Sequence, residues 1–218
     1  LASVAEFSGR GSNTSVVRTG VDLRRLLADT SNYFPAGVKA PYILFPRYIK
    51  RIYNHEFCLE AIGLLPPEIK KKYTMVFVGK DYGDMEYQQL LEERMKMMNE
   101  IAFNFLPKLS QEPIFELYKR SSLIVMTPTS DGSPVSAMEA LACGAKVVLG
   151  PLEYDSELFN ANVSRLKKWS AQELAELMSE TLLKKSILTT PEYLSLINRN
   201  NEMEKMWNVY KSVGLQIV

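Results

Sequence analysis

Between Ser122 and Leu149 the chain passes from a short apolar stretch through a turn of small residues into a helix-forming stretch and then a second apolar run, an order that few folds accommodate. Ser122-Leu123-Ile124-Val125-Met126 has the composition of a strand buried on both faces, as parallel strands are. Met138-Glu139-Ala140-Leu141-Ala142-Cys143 consists largely of strong helix formers and stops at Gly144, a natural helix end. Val147, Val148 and Leu149 then supply another strand. Strand, helix and parallel return strand make one crossover unit, and such units build an α/β sheet.

The rest of the chain repeats the alternation. Strands are predicted at Ser15 to Arg18, Tyr42 to Phe45, Met75 to Val78, Ala102 to Leu106, Leu123 to Met126 and Lys146 to Leu149. Helices are predicted near Asn54 to Leu65, Met85 to Asn99, Gln111 to Arg120, Ser136 to Cys143, Ala171 to Leu183 and Pro191 to Val213. The expected fold is therefore α/β, a Rossmann-like parallel sheet with helices on both faces. Met95, Met97 and Met98 are read as core filling on the helix after the third strand.

Composition narrows the function classes. A net charge of +1, evenly spread, lacks the clustered basic face that a nucleic-acid partner requires, so none is expected. Lys70-Lys71-Lys72 follows Pro66-Pro67 and reads as a solvated helix end. Cys58 and Cys143 have no metal-ligand spacing and read as reduced packing residues, which points to a cytoplasmic setting. No apolar run approaches the ~20 residues needed to cross a bilayer. The 218 residues make one large domain by the rough prior of ~150 residues each.

In an open α/β sheet, ligands bind beyond the carboxyl ends of the strands, so the loops after Phe45, Val78, Leu106 and Met126 should converge on one crevice. Asp131-Gly132-Ser133-Pro134-Val135-Ser136-Ala137-Met138-Glu139-Ala140 is one of these loops running into its helix. The first amides of a helix have no partner within it and carry the positive end of the dipole, which suits phosphate near Val135 to Ala137. Glu139, one turn further in, can face the same pocket. Arg47 lies just past the end of the Phe45 strand.

The segment from Asp131 to Val148, Asp-Gly-Ser-Pro-Val-Ser-Ala-Met-Glu-Ala-Leu-Ala-Cys-Gly-Ala-Lys-Val-Val, resembles the donor-site signature of retaining glycosyltransferases of the GT-B fold. Thr19-Gly20-Val21-Asp22-Leu23 resembles the family's Asn-Gly-Val-Asp turn, and Val76-Phe77-Val78-Gly79 its second strand and glycine, in the same order. The resemblance implies one half of a GT-B enzyme: residues 1–14 as linker and tail of a missing N-terminal acceptor domain, 15–190 as the nucleotide-sugar donor domain, and 191–218 as a closing C-terminal helix. The implied partners are a nucleotide diphosphate sugar and the missing half, through which any peripheral membrane association would run. The chain by itself is expected to be inactive without that half.

The resemblance also assigns roles. Arg47 would contact the donor diphosphate, where a permanently charged, forked guanidinium stabilises the departing group. Asp131, where the family mostly has Glu, would stand beside the donor sugar, and Glu139 would accept from both ribose hydroxyls. Backbone amides from Gly132 and Ser133 to Val135 would hold phosphate or sugar oxygens, although Pro134 removes one donor. Tyr53 occupies the place of a family Lys, with Lys50 or Arg51 as substitutes from the same loop. Gly79 and Pro107 would border the wall that selects the nucleobase, and Lys146 replaces a family Pro.

No cofactor or metal is expected, since Asp81-Tyr82-Gly83-Asp84 has the wrong spacing for a metal motif and reads as a turn. His55, the single histidine, is not read as a base. The leading expectation is the donor-binding half of a retaining hexosyltransferase in polysaccharide or glycolipid synthesis. The alternatives are a GT-B nucleotide-sugar epimerase and a catalytically silent nucleotide-sugar-binding module.

Overall fold

Short strands, the central ones apolar and covered on both faces, organise the chain, and in the computed structural model, which describes residues 15–159, 163–185 and 189–212, six strands form a single sheet. They are β1 (Tyr42–Phe45), β2 (Thr74–Lys80), β3 (Phe103–Pro107), β4 (Leu123–Met126), β5 (Val147–Leu149) and β6 (Val163–Arg165). All pairings are parallel, in the order β3-β2-β1-β4-β5-β6. The helices are α1 (Leu23–Leu26), α2 (His55–Gly63), α3 (Pro67–Lys72), α4 (Met85–Met97), α5 (Gln111–Arg120), α6 (Val135–Ala142), α7 (Ala171–Leu183), α8 (Pro191–Ile197) and α9 (Arg199–Ser212).

Alternate strand residues face opposite sides of the sheet, and this chain fills both. Leu44, Val76, Val78, Ile124 and Met126 pack with α5, α6 and α8, while Ile43, Phe45, Met75, Phe77, Leu123 and Val125 pack with α2, α4 and α7. Phe45 stacks on Phe77 across the β1–β2 pair, with ring centroids 4.4 Å apart. Burial on both faces makes these strands unbroken apolar runs, and it gives the sheet no wet side.

Local chemistry sets the helix starts. Asp84 accepts from the Tyr87 amide at the start of α4, Ser170 from Glu173 at α7, and Thr190 from Tyr193 at α8, where Pro191 takes the first position. Among the described residues, α5 and α6 begin with no side-chain cap, behind Ser110 and Pro134. In α6 the Val135 and Ser136 amides remain available to a ligand, whereas in α5 Pro113 has no N–H and the Glu112 amide turns to its own carboxylate.

Three expectations need correction. Residues 15–20 form no strand; Val16 and Val17 are exposed, and the Arg18 amide donates to Glu202 of α9 at 2.7 Å, so the segment follows the last helix. An unpredicted strand, β6, is only Val-Ser-Arg at the sheet edge and carries no apolar signal. The final helix is two, because Asn198 is extended where Val21 bonds across it: its amide donates to Ile197 O at 2.7 Å, and Arg199 N donates to Val21 O at 3.0 Å. Its expected end at Val213 lies outside the described residues, as does the proposed linker 1–14.

Gly20 is required by this junction. Its φ is +66°, and an added Cβ would stand 2.6 Å from Arg199 Cα. Of the methionine trio, Met95 is buried and Met98 packs on the core, but Met97 is 75% exposed. Lys70-Lys71-Lys72 closes α3, with Lys70 3.5 Å from Glu100. Cys58 and Cys143 are free thiols that burial pushes up to about 12. Among the described residues no helix is long and apolar enough to cross a membrane.

Candidate functional site

Strand order reverses between β1 and β4, so the loops leaving their carboxyl ends part and open a crevice. The crevice has a cavity volume of about 220 Å³ and opens to solvent, so a ligand of more than about 300 Å³ would reach beyond its walls. Pro46, Arg47 and Tyr48 line it from the loop after β1, Leu109 and Ser110 from the loop after β3, Gln111 from the start of α5, and Ser136 and Glu139 from α6. The uncapped starts of both α5 and α6 face the same space.

Arg47 is held on three sides. Its Nη1 donates to Ser136 Oγ at 2.7 Å, its Nη2 lies 3.4 Å from Asp131 Oδ2, and its guanidinium sits 4.2 Å over the Tyr53 ring. Stacking and a carboxylate fix the fork without occupying all five donors. The Asp131 side chain is 12% exposed, and its Oδ2 is buried without a hydrogen bond. The Tyr154 hydroxyl is likewise buried and unpaired among the described residues. Burial, and then the Asp131 charge, raise the Tyr154 phenol to about 12, so it remains a neutral donor beside that carboxylate.

The Glu139 carboxylate forms no hydrogen bond among the described residues, and burial raises it to about 7 against the pull of Arg199 and Arg47. A carboxylate left desolvated and unpaired is a group awaiting donors. Behind it, burial and the Glu139 charge hold the Tyr118 phenol well above its ordinary value. His55 sits under the β1 loop with Nε2 3.0 Å from Tyr48 O, and burial lowers it to about 4. It is a neutral packing ring against Phe77, not a charge facing the crevice.

The structure gathers Arg47, Asp131 and Glu139, with Val135 half-buried and Pro134 buried at the start of α6. Gly132 and Ser133 are exposed on the preceding turn. The expected substitutes do not join them: Lys50 is exposed, and Arg51 pairs with Asp84 at 3.4 Å and stacks over Tyr87, away from the crevice. Tyr53 thus supports Arg47 and supplies no second cation. Pro107 is exposed and outside the lining, where Ser110 and Gln111 stand instead.

Gly79, with φ +105°, lets Tyr48 approach; an added Cβ would be 3.0 Å from Tyr48 Cα, so its effect on the crevice is indirect. Sequence reasoning missed Tyr48, Tyr118, Tyr154 and Arg199. Only Ser110, directly before a helix start, carried a signal for the β3 loop. Asp84 caps α4 and Asp81 N donates to Gln88 at 2.7 Å, as a turn requires. Among the described residues no three His, Cys, Asp or Glu side chains converge as metal ligands.

Comparison with solved structures gives the same architecture. HepE of Anabaena in complex with UDP superposes with a TM-score of 0.75 at 18% identity, covering 97% of this chain and 61% of that one. The trehalose-6-phosphate synthase of Burkholderia multivorans gives 0.74 at 11% identity, covering 90% of this chain and 50% of that one. The N-terminal domain of Candida albicans trehalose-6-phosphate phosphatase gives 0.65 at 12% identity, covering 91% and 50%. The chain therefore spans between 50% and 61% of the length of these structures, with the Rossmann-like fold of a GT-B domain. No curated protein matches the sequence significantly. The sequence model of glycosyl transferases group 1 matches residues 31–202, and with most of its length inside that match the chain belongs to the glycosyl transferases group 1 family.

Proposed function

We propose that the crevice binds a nucleotide diphosphate sugar and that the chain is the donor half of a retaining hexosyltransferase acting in polysaccharide or glycolipid synthesis in the cytoplasm. The observation that carries this reading is the fixed Arg47 fork, held by Asp131, Ser136 and Tyr53 at a point where two uncapped helix starts converge. A diphosphate there meets a permanent cation and free amides. Such fixed charge stabilises the group as it departs, a larger effect than in water because nothing must reorganise. Glu139, desolvated and unpaired, suits two vicinal hydroxyls of a ribose. Asp131 and Tyr154 present an acceptor and a neutral donor to the sugar.

In this reading residues 15–190 are the donor domain and 191–218 a closing segment, with a linker over 1–14 leading to an acceptor half that completes the site. HepE has been captured with UDP and with UDP-glucose, which makes uridine diphosphate the first nucleotide to try. A second reading, nucleotide-sugar binding without transfer, draws on Tyr53 and the outward Arg51, which leave Arg47 as the one cation lining the crevice among the described residues.

Thermal stabilisation by UDP, GDP, ADP and their sugar conjugates tests the binding claim. At ~100 times its dissociation constant a ligand adds ~2.7 kcal/mol, several degrees for a domain of this size. A shift with one nucleotide that Glu139→Ala abolishes supports the site. Equal shifts in wild type and mutant would refute it.

A further inference from the structure

A second, smaller cavity of about 40 Å³ lies at the far end of α6, where Leu141 and Ala145 meet the start of β5. Lys146, Lys184 and Lys185 line it, and no carboxylate does. None of the three has an ion-pair partner among the described residues. Lys146 spends one donor on Leu182 O at 2.8 Å, and burial lowers its pKa. Ser164 Oγ accepts from Thr181 Oγ1 at 2.8 Å and from Lys184 Nζ at 3.0 Å, which leaves the Ser164 O–H as a donor without an assigned acceptor. Tyr193, 8% exposed, lines the same cavity with its hydroxyl buried and unpaired among the described residues.

Thr181 and Thr189 spend their hydroxyl protons on Ser164 Oγ and Leu141 O, whereas Ser164, Tyr193 and the three lysines keep donors free, and the lysines have no counter-ion among the described residues. The buried Ser164 and Tyr193 donors cost free energy while unmatched, and the gathered cations repel even where water reaches Lys184 and Lys185, so an anion with several acceptor oxygens relieves both. We propose that this cavity is a binding site for a phosphate group, free or as a small monoester, separate from the crevice between β1 and β4. A phosphate presents three or four oxygens and close to two negative charges near neutral pH, which matches ammonium groups and hydroxyls in this proportion.

Titration with inorganic phosphate and with glycerol 3-phosphate, at ionic strength held constant with chloride, tests the proposal through melting temperature and calorimetry. Saturable binding is expected to survive Arg47→Ala and to weaken about tenfold or more when Lys184→Ala and Lys185→Ala are combined, the loss of charge-assisted bonds. Both lysines are exposed, so that variant folds. Tyr193→Phe is expected to weaken binding severalfold with an unchanged melting temperature in the ligand-free protein. Tighter binding of the monoester would identify the organic compound as the natural form, and tighter binding of the ion the free anion. No response beyond that of chloride would overturn the site. So would binding lost in Arg47→Ala and kept in the lysine pair, which places the anion in the crevice.

Discussion

Arg47 Nη1 donates to Ser136 Oγ at 2.7 Å, and this bond joins the loop after β1 to the first turn of α6 across the point where strand order reverses. The same guanidinium reaches Asp131 and rests on Tyr53. One side chain thus couples the three segments that form one wall of the crevice, and its orientation is set before any ligand arrives. Preorganised charge of this kind is what distinguishes a binding site from a basic surface.

Replacing Arg47 separates charge from geometry. Arg47→Ala leaves the Asp131 carboxylate part-buried without its cation and is expected to destabilise by about 1–3 kcal/mol while removing nucleotide binding. Arg47→Lys should recover most of the stability and little of the binding, because an ammonium cannot fork onto two oxygens. Urea midpoints and nucleotide titrations on both variants check this; a Lys variant that binds as wild type does would count against the fork.

Glu139 makes stability depend on pH. Its pKa is raised to about 7, so the folded chain keeps a proton that the unfolded chain has already released, and stability falls as pH rises from the ordinary carboxylate range to about 7, then levels off. Glu139→Gln should be more stable than wild type by about 1–3 kcal/mol at about pH 8 and indistinguishable from it at about pH 4. Parallel unfolding curves at every pH would contradict the burial argument.

Tyr154→Phe removes a buried hydroxyl with no partner among the described residues. The ligand-free variant is expected to match or exceed wild-type stability by up to about 1 kcal/mol, since no hydrogen bond is lost. Binding of a nucleotide sugar should weaken more than binding of the bare nucleotide, and calorimetry on both ligands measures the difference.

Gly20→Ala tests the closure between the chain start and α9. A φ of +66° and Arg199 Cα and N at 2.6 and 2.9 Å from the new Cβ leave no room to relax, so a loss of about 2 kcal/mol or more is expected in urea unfolding. An unchanged midpoint would mean that the Val21–Asn198 junction opens freely.

What was legible in the sequence follows from where each signal originates. Tyr42–Phe45 and Leu123–Met126 were readable to the residue because burial on both faces writes an unbroken apolar run. Val16 and Val17 carry the same β-branched signal but are exposed, held by the tether from Arg18 to Glu202, and no local pattern encodes that bond. The break at Asn198 is likewise made by Val21, far away in sequence. Arg47, Asp131 and Glu139 were singled out from the strand-end loops and from the resemblance carried by residues 131–148, and the structure brings Arg47 to Asp131 and Glu139 to the same crevice. Tyr154 and Arg199, which feel the charges of Asp131 and Glu139 without lining the crevice, were missed because their approach depends on packing, and Arg51 was misjudged because Asp84 draws it aside.

The central claim is that Arg47 and the start of α6 receive a nucleotide diphosphate. A crystal structure with UDP, or with whichever nucleotide stabilises the chain, tests it most directly. The account predicts phosphate oxygens within hydrogen-bond distance of the Arg47 fork and of the Val135 and Ser136 amides, with the ribose hydroxyls on Glu139. Nucleotide bound elsewhere, with Arg47 still closed on Asp131 and Ser136 and the crevice empty, would contradict it.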